Sequence, residues 1–268
     1  MTEIDFTAYK ALDIARNGRI LTIAINSGAP RNAVNAQLHH ELAHVFTQAK
    51  ADPGSDVVIL TGMGQNFCAG GDFDWFQEMI DDQDLWISEV VPAAKMIIST
   101  LLDLDKPLIC KLNGPAAGLG ASIALLSDIV VAADHAKIGD PHVKAGLVAG
   151  DGGAIIWPQL VGFARAKEML MTGRMITAQE AYDMGLINHV VAAGALDAKT
   201  DEIARELADG ATLAIRYTKT VMNLELQRIH LQVSDAALGY ETITNASVDH
   251  QEAVNAFKER RAPKFVGK

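Results

Sequence analysis

The chain contains little cysteine, no long apolar run and no dense group of basic residues. Its two cysteines, Cys68 and Cys110, form no CxxC pair, so the sequence predicts neither a disulfide framework nor a zinc site, and no metal is expected. No uninterrupted apolar run reaches the roughly eighteen residues that a transmembrane helix needs. The first twenty residues alternate charged and apolar side chains too closely for a secretory signal. We therefore expect a soluble, cytoplasmic protein with no membrane partner.

The charge of the chain is acidic. Asp and Glu number 33 against 23 Lys and Arg, which gives a formal net charge of -10 at pH 7. Nucleic acids and anionic membranes select basic surfaces, and this composition offers none. A chain of 268 residues that is 49% hydrophobic can bury a large core. We expect a folded protein whose partner is a small-molecule substrate and not a nucleic acid.

Four short runs rich in β-branched and apolar residues mark the first half of the chain, and each is followed by Gly, Asn or Pro and then by helical spacing. They comprise residues 20–26, 57–61, 107–112 and 128–133. Parallel strands need crossover connections, so strands that alternate with helices indicate a parallel sheet. The sequence predicts an α/β fold, with a largely parallel sheet covered by helices.

The C-terminal third is predicted to be helical. β-Branched runs fade after Ala164, and Gly173 and Gly185 stand where helices are expected to end. We divide the chain into a core of residues 1–199 and a helical region of residues 200–268. The two form one functional unit, because no repeat or low-complexity linker separates them. We expect the helical region to pack on the sheet or on another subunit.

A histidine and an aspartate stand nine residues apart in the otherwise apolar, Gly-rich residues 139–158. An imidazole that a carboxylate holds in one tautomer keeps its other nitrogen free to take a proton from water. His142 and Asp151 therefore suggest an enzyme with a general base. Each residue also has an ordinary structural explanation. A single histidine among apolar residues is commonly part of the core, and an Asp before two glycines commonly lies in a turn.

Two Gly-rich turns follow predicted strands, NFCAGGD at residues 66–72 and NGPAAGLG at residues 113–120. Such strand-to-helix turns expose backbone amides at the positive end of a helix, and two of them could form an oxyanion hole. A single turn of this kind more often reflects tight packing. Neither turn matches the GxxxxGK[ST] or GxGxxG phosphate-binding patterns.

Taken together, these segments resemble the crotonase superfamily, the enoyl-CoA hydratase and isomerase family, over essentially the whole chain. The similar segments are residues 30–42, 56–73, 106–134, 137–153 and 170–191. The resemblance implies a crotonase-like spiral of ββα turns and a C-terminal helical region used for trimerisation, as a homotrimer or a dimer of trimers. It also implies chemistry in which two backbone amides hold a thioester or ketone oxygen as it becomes an enolate.

The resemblance assigns site residues position by position. The oxyanion amides would be those of Gly71 and Leu119, and such donors are worth several kcal/mol of barrier. No cofactor is required, although coenzyme A is possible as part of the substrate. The residues expected to bind the substrate or its CoA part are Arg31, Ala33, Ala69, Gly70, Asp72, Phe73 and Gly118.

The departures from the family pattern bear on the reaction. Hydratases of the family use two glutamates, and the matching positions here are Ser122 and His142. Ser122 is not in a GxSxG elbow, so we expect a small helix-packing residue. His142 and Asp151, with Trp157 and Pro158 after them, resemble instead the β-diketone hydrolase branch, typified by 6-oxocamphor hydrolase. That branch activates water with a histidine and an aspartate to cleave a carbon–carbon bond between two ketones.

Two further positions match that branch, and two do not. His39 and Glu241 match its other polar residues, although either could also be an exposed helix side chain. The branch's oxyanion histidine has no counterpart in residues 118–120, and its tryptophan is replaced by Val34. The glycine turns, in contrast, look like those of the CoA-using parent family.

Three hypotheses follow. In the first, Gly71 and Leu119 hold an enolate while His142, oriented by Asp151, activates water for retro-Claisen cleavage of a β-dicarbonyl compound, free or as a CoA ester. Glu241 and His39 would then orient the substrate or protonate the enolate. In the second, Asp151 and His142 are the acid and base of an enoyl-CoA hydratase or isomerase. In the third, the chain is an inactive oligomeric binding protein.

Overall fold

The computed structural model describes residues 4–268, which form an α/β fold built on two sheets. The main sheet has six strands in the order β1-β2-β3-β4-β6-β9, and a smaller sheet has the order β5-β7-β8. The strands are β1 (Leu12–Asn17), β2 (Ile20–Ile25), β3 (Val57–Gly62), β4 (Leu108–Leu112), β5 (Ala116–Ala117), β6 (Ile129–Ala133), β7 (Lys137–Gly139), β8 (Met175–Thr177) and β9 (His189–Val191).

The main sheet is parallel apart from one pair, as the sequence predicts. β1 and β2 form an antiparallel hairpin, and β2, β3, β4, β6 and β9 pair in parallel. All four predicted strands are present within one residue of their expected ends. β3 is buried along its whole length, because helices cover both faces of a parallel sheet.

Helices connect the strands and form the C-terminal third. They are α1 (Ala36–Ala51), α2 (Phe73–Asp81), α3 (Gln83–Leu85), α4 (Val91–Asp103), α5 (Leu119–Leu125), α6 (Gly153–Thr172), α7 (Ala178–Asp183), α8 (Leu196–Asp209), α9 (Thr212–Asn245) and α10 (Val248–Lys258). A π-helical turn, Trp86–Val90, joins α3 to α4. Gly173 ends α6 in the left-handed conformation, at φ 59°, as expected.

The helical C-terminal region is confirmed, but it starts earlier than expected. α8 begins at Leu196, so the proposed division between residues 199 and 200 falls inside a helix. Leu196, Ile203 and Ala204 are buried with the apolar residues of the main sheet. The region therefore continues the core without a linker.

The 34-residue α9 leaves many large apolar side chains exposed. They include Leu213, Tyr217, Val221, Met222, Leu224, Leu231, Tyr240 and Ile243. A contact between subunits would cover such a surface, and the trimer or dimer of trimers stays a prediction.

One segment, Gln83–Asp103, is long and apolar enough by length and composition to cross a membrane. In the fold it is a core helix, because Ile97, Ile98 and Leu101 are buried in the main apolar cluster. Core helices of soluble proteins commonly pass such a test, so the segment is weak evidence for a span.

The small sheet joins the second glycine turn to the segment that carries His142. Ala117 of β5 pairs with Gly139 of β7, and the Gly118 N–H donates to the Gly139 carbonyl over 3.2 Å. His142 follows β7 by three residues and begins a short 3-10 turn. The fold thereby places the start of α5 beside the histidine.

Candidate active site

A pocket lies between the sheet layer and α9. It brings together residues that are far apart in the sequence, including both predicted oxyanion residues and all four predicted catalytic residues. These six are His39, Gly71, Leu119, His142, Asp151 and Glu241. The remaining wall is apolar and is made by Val34, Trp75, Phe76, Met79, Trp86, Val90, Val91, Ala94, Leu147 and Leu238.

Carboxylates flank both ring nitrogens of His142. Nδ1 forms a short hydrogen bond with Oδ1 of Asp140, and Nε2 lies 3.3 Å from Oδ2 of Asp151. The His142 side chain is only 10% exposed. Sequence reasoning identified Asp151 but missed Asp140, whose one signal was its place two residues before the histidine.

Gly118 lies against the face of this imidazole. Residues other than glycine rarely adopt its φ of +53°. A Cβ at this position would also lie 3.1 Å from Cε1 of His142. The sequence placed Gly118 among the substrate-binding residues. In the structure Gly118 borders His142 and does not line the pocket. A glycine is needed at this position because a side chain would crowd the imidazole.

The charge on His142 follows from these two contacts. Burial disfavours the imidazolium, but the negative charges of Asp151 and Asp140 outweigh burial and hold the pKa of His142 well above its usual range. A neutral imidazole has one N–H and one lone pair, and a carboxylate cannot donate to that lone pair. Two flanking carboxylates therefore favour a ring that carries both protons.

Glu241 enters the pocket from α9 and is 4% exposed. Burial, together with the negative charge of Asp151, raises the pKa of Glu241 well above its usual range, although His142 acts in the opposite direction. These effects favour the neutral form of the Glu241 carboxyl group. Its Oε2 and Oδ1 of Asp151 are buried atoms that have no hydrogen-bond partner among the residues that the structure describes.

His39 lies on α1, where its ring is 5.2 Å from that of Trp75. Burial, with a smaller contribution from the charge of His40, lowers the pKa of His39 to about 4. A neutral imidazole in an apolar wall can donate or accept one hydrogen bond. This state suits substrate orientation better than acid catalysis.

The two predicted oxyanion amides both border the pocket. The Asp72 N–H donates to Val34 and the Val34 N–H donates to Gly70, so the N–H of the intervening Gly71 points to the other side of this bridge. Leu119 is the first residue of α5, where N–H groups have no intrahelical acceptor. In the described residues neither amide donates to a protein acceptor. A Cβ on Gly71 would lie 2.2 Å from Cζ of Phe76, so glycine is required there.

A second pocket, with about 630 Å³ of empty space, adjoins the first at Gly71. It contains five of the residues predicted to bind substrate or CoA, namely Arg31, Ala33, Ala69, Asp72 and Phe73. Four of its lining residues were not predicted from the sequence. Two of them, Pro30 and Asp74, adjoin predicted residues, and the other two, Phe257 and Lys258, come from α10. The Phe257 ring stacks on that of Phe73 at 3.7 Å. Gly70 lies behind this wall and packs near Ala117.

The tryptophans divide between pocket and core. Trp75 and Trp86 line the first pocket, and the Trp86 indole N–H donates to Oγ1 of Thr242 over 2.9 Å. Trp157 is fully buried in the apolar cluster. Ser122 is also fully buried, beside Gly152, as expected of a packing residue.

Ligand atoms of Asp140, His142 and Asp151 lie within 4.8 Å of one another, a spacing that could also hold a metal ion. Metal-bound histidine must be free of a proton on the ligating nitrogen, which the charge on His142 opposes. The expectation of no metal stays a prediction.

Comparisons with known proteins agree with this geometry. A family model described as enoyl-CoA hydratase/isomerase matches residues 15–268. The chain is 34% identical to 1,2-epoxyphenylacetyl-CoA isomerase of Escherichia coli K12, over 93% of this chain and 95% of that protein. A crystal structure of an enoyl-CoA hydratase/isomerase from Mycobacterium paratuberculosis superposes with a TM-score of 0.88 at 35% identity, over 91% of this chain and 97% of that one.

A solved β-diketone hydrolase is also similar. This protein, from the cyanobacterium Anabaena sp. PCC 7120 and bound to (S)-3-oxocyclohexyl acetic acid, superposes with a TM-score of 0.84 at 31% identity. The match covers 90% of this chain and 96% of that one.

Proposed function

The chain belongs to the enoyl-CoA hydratase/isomerase family, and within that family we propose that it hydrolyses a carbon–carbon bond of a β-diketone. The observation that carries the proposal is the arrangement of His142 between two carboxylates, with the buried acid Glu241 in the same apolar pocket. Such a site holds a group that can take a proton from water and a group that can deliver one.

The two-glutamate hydration mechanism is not favoured by the residues present. Ser122 occupies one glutamate position, is fully buried in α5 and does not line the pocket. A serine hydroxyl does not exchange protons near pH 7 without an adjacent base. The other position holds His142, whose ring lies between carboxylates.

The proposed reaction uses three parts of the site. Water adds to one carbonyl carbon and loses a proton to the His142–Asp151 pair. The bond between that carbon and the central carbon then breaks, and its electron pair forms an enolate whose oxygen accepts from the Gly71 and Leu119 amides. Glu241 supplies a proton to the central carbon. The products are a carboxylic acid and a ketone, joined in one molecule when the substrate is cyclic.

The pocket wall favours a compact and uncharged substrate. It combines aromatic and aliphatic side chains, including Trp75, Trp86 and Leu238, and no Lys or Arg lines it in the described part of the chain. An anionic acyl group would meet Asp151, and the one positively charged side chain that lines the pocket in residues 4–268, His142, already has a carboxylate beside each ring nitrogen. A neutral cyclic β-diketone buries its ring against the wall and leaves its two oxygens for the polar groups.

A second candidate, hydration or isomerisation of an acyl-CoA thioester, is favoured by the second pocket. That pocket meets the first at Gly71 and carries Arg31 and Lys258 beside the stacked Phe73 and Phe257. A thioester held at the Gly71 amide could extend its CoA part in this direction. A CoA-linked β-diketone would use both pockets.

The test is a parallel incubation with crotonyl-CoA and with a cyclic β-diketone that carries two alkyl groups between its carbonyls, which prevents enolisation at the central carbon. Mass spectrometry reports addition of one water, and chromatography separates the products. A ring-opened keto acid supports the proposal, whereas 3-hydroxybutyryl-CoA alone supports the second candidate. No turnover of either, with no CoA binding, would indicate the inactive binding protein.

A further inference from the structure

Asp140 is a fully buried acid that the family resemblance does not explain. It follows β7 directly and is 0% exposed. Its Oδ1 accepts from Nδ1 of His142, while its Oδ2 has no hydrogen-bond partner in residues 4–268. A Cβ on Gly153 would lie 2.0 Å from that Oδ2, so the start of α6 leaves the carboxyl group little freedom to rotate. A buried carboxylate is costly without a cation, and its paired cation here is His142.

We propose that Asp140 is a positioning residue that keeps His142 doubly protonated and fixed throughout the reaction, so that the proton from water passes to Asp151. The inference rests on the proposed hydrolysis and changes which residue acts as its base. The sequence suggested that Asp151 orients the ring and that His142 is the base. In this arrangement Asp140 orients the ring and the Asp151 carboxylate is the base.

In residues 4–268, both ring nitrogens of His142 have a carboxylate beside them, whereas one oxygen of Asp151 has no partner. Nδ1 is taken by Asp140 and Nε2 by Oδ2 of Asp151, so His142 offers no lone pair to water. Asp151 lines the pocket, and its Oδ1 is a buried atom with no partner among the described side chains and amides. It is the free acceptor that the ion pair with His142 holds in place.

The surrounding groups support a positive charge at His142. Those that face it are Asp140, Asp151, Glu241 from α9 and His250 from α10. Burial lowers the pKa of His250, and the charge of His142 lowers it further. Burial likewise favours the neutral form of Glu241. In this cluster, the positive charge is therefore favoured at His142, which has a carboxylate beside each ring nitrogen.

The proton balance closes without a change at His142. Oδ1 of Asp151 takes one proton from water as the water oxygen bonds to the carbonyl carbon. When the carbon–carbon bond breaks, Glu241 gives its proton to the central carbon of the enolate. The proton on Asp151 then replaces the one that Glu241 lost. One water is consumed, and no oxidant or further reactant is needed.

Nitrogen NMR of the full-length protein, labelled with ¹⁵N-histidine, tests the inference without any substrate. His142→Gln identifies the His142 signals by their loss. We expect both ring nitrogens to remain protonated at pH values well above about 6.5, where an ordinary histidine titrates. In Asp140→Asn, we expect the ring to lose a proton at a lower pH than in the unaltered protein. Asp134→Asn is the matched control, because Asp134 lies 3.6 Å from the exposed His135 and its loss should not move His142.

Ordinary titration of His142 in the unaltered protein would overturn the inference, even if Asp140→Asn failed to fold. So would an unchanged His142 titration in a folded Asp140→Asn. For turnover, we expect Asp140→Asn to lower kcat with little change in KM and Asp140→Glu to recover part of it. Absence of β-diketone turnover would contradict the proposed function alone, since the NMR result does not depend on it.

Discussion

Nε2 of His142 lies 3.3 Å from Oδ2 of Asp151, and the other oxygen of that aspartate is buried with no hydrogen-bond partner in the described residues. The aspartate therefore has one oxygen beside the imidazole and one without a hydrogen-bond partner in the described part of the chain. This division of roles depends on Asp140 at the opposite ring nitrogen. Several testable consequences depend on these two contacts.

Asp151→Asn should abolish hydrolysis of the β-diketone, because an amide keeps the shape of the side chain but cannot take the proton from water. General base catalysis contributes about 10²- to 10⁴-fold, which sets the expected fall in kcat. His142→Ala should lose activity to a similar extent. Steady-state kinetics, with circular dichroism to verify folding, provides the measurement. Near-normal rates in both variants would contradict the assignment.

Glu241→Gln should lower kcat with the fold retained. The glutamine still donates a hydrogen bond but cannot release a proton to carbon. Because the pKa of Glu241 is raised, the unaltered enzyme should keep the required proton through neutral pH and lose activity as pH rises toward that pKa. Glu225→Gln, at an exposed position on the same helix, is the control. If Glu241→Gln had the same pH–rate profile as the unaltered enzyme, Glu241 would not be the proton donor.

Gly118→Ala should displace the His142 ring and also lower the stability of the fold. The backbone there has a φ of +53°, and the added Cβ would lie 3.1 Å from Cε1 of the imidazole. Strain of this kind costs about 1–3 kcal/mol, and movement of the ring would weaken its contacts with both aspartates. Thermal unfolding and kcat measured together should both fall. Gly194→Ala is the comparison, since a Cβ there would meet nothing within 4 Å.

Stability should decrease on the alkaline side through His142. Its folded pKa is raised above the unfolded value, so its contribution is fully present below about 6.5 and is lost as pH rises through the folded pKa. Unfolding temperatures between neutral and alkaline pH should fall more steeply for the unaltered protein than for His142→Gln. His135→Gln, at an exposed histidine, should retain the steep fall. Equal slopes in all three proteins would show that His142 is not charged in the folded state.

The fold could be predicted well because its main strands are short apolar runs with clear limits. β2, β3, β4 and β6 were all identified, since burial on both faces of a parallel sheet leaves a nearly continuous apolar pattern. β5, β7 and β8 were missed because they contain only two or three residues, too few to show any periodicity. Their pairing is decided by the turns around them.

The site could be predicted in composition but not in its proton states. His39 and Glu241 were found only by resemblance, since they are about two hundred residues apart and the fold alone brings them to one pocket. Asp140 had no separate pattern, because its role depends on the turn after β7. The charge on His142 depends on which carboxylate meets which nitrogen, and residue spacing does not contain that information.

The most direct test of carbon–carbon hydrolysis is incubation of the cyclic β-diketone in H₂¹⁸O, with mass spectrometry of the product. We predict a ring-opened keto acid from the unaltered enzyme with one ¹⁸O in its new carboxyl group, and no such product above background from Asp151→Asn. Unchanged diketone under these conditions, with crotonyl-CoA hydrated instead, would contradict the proposed function and leave the thioester reaction in its place.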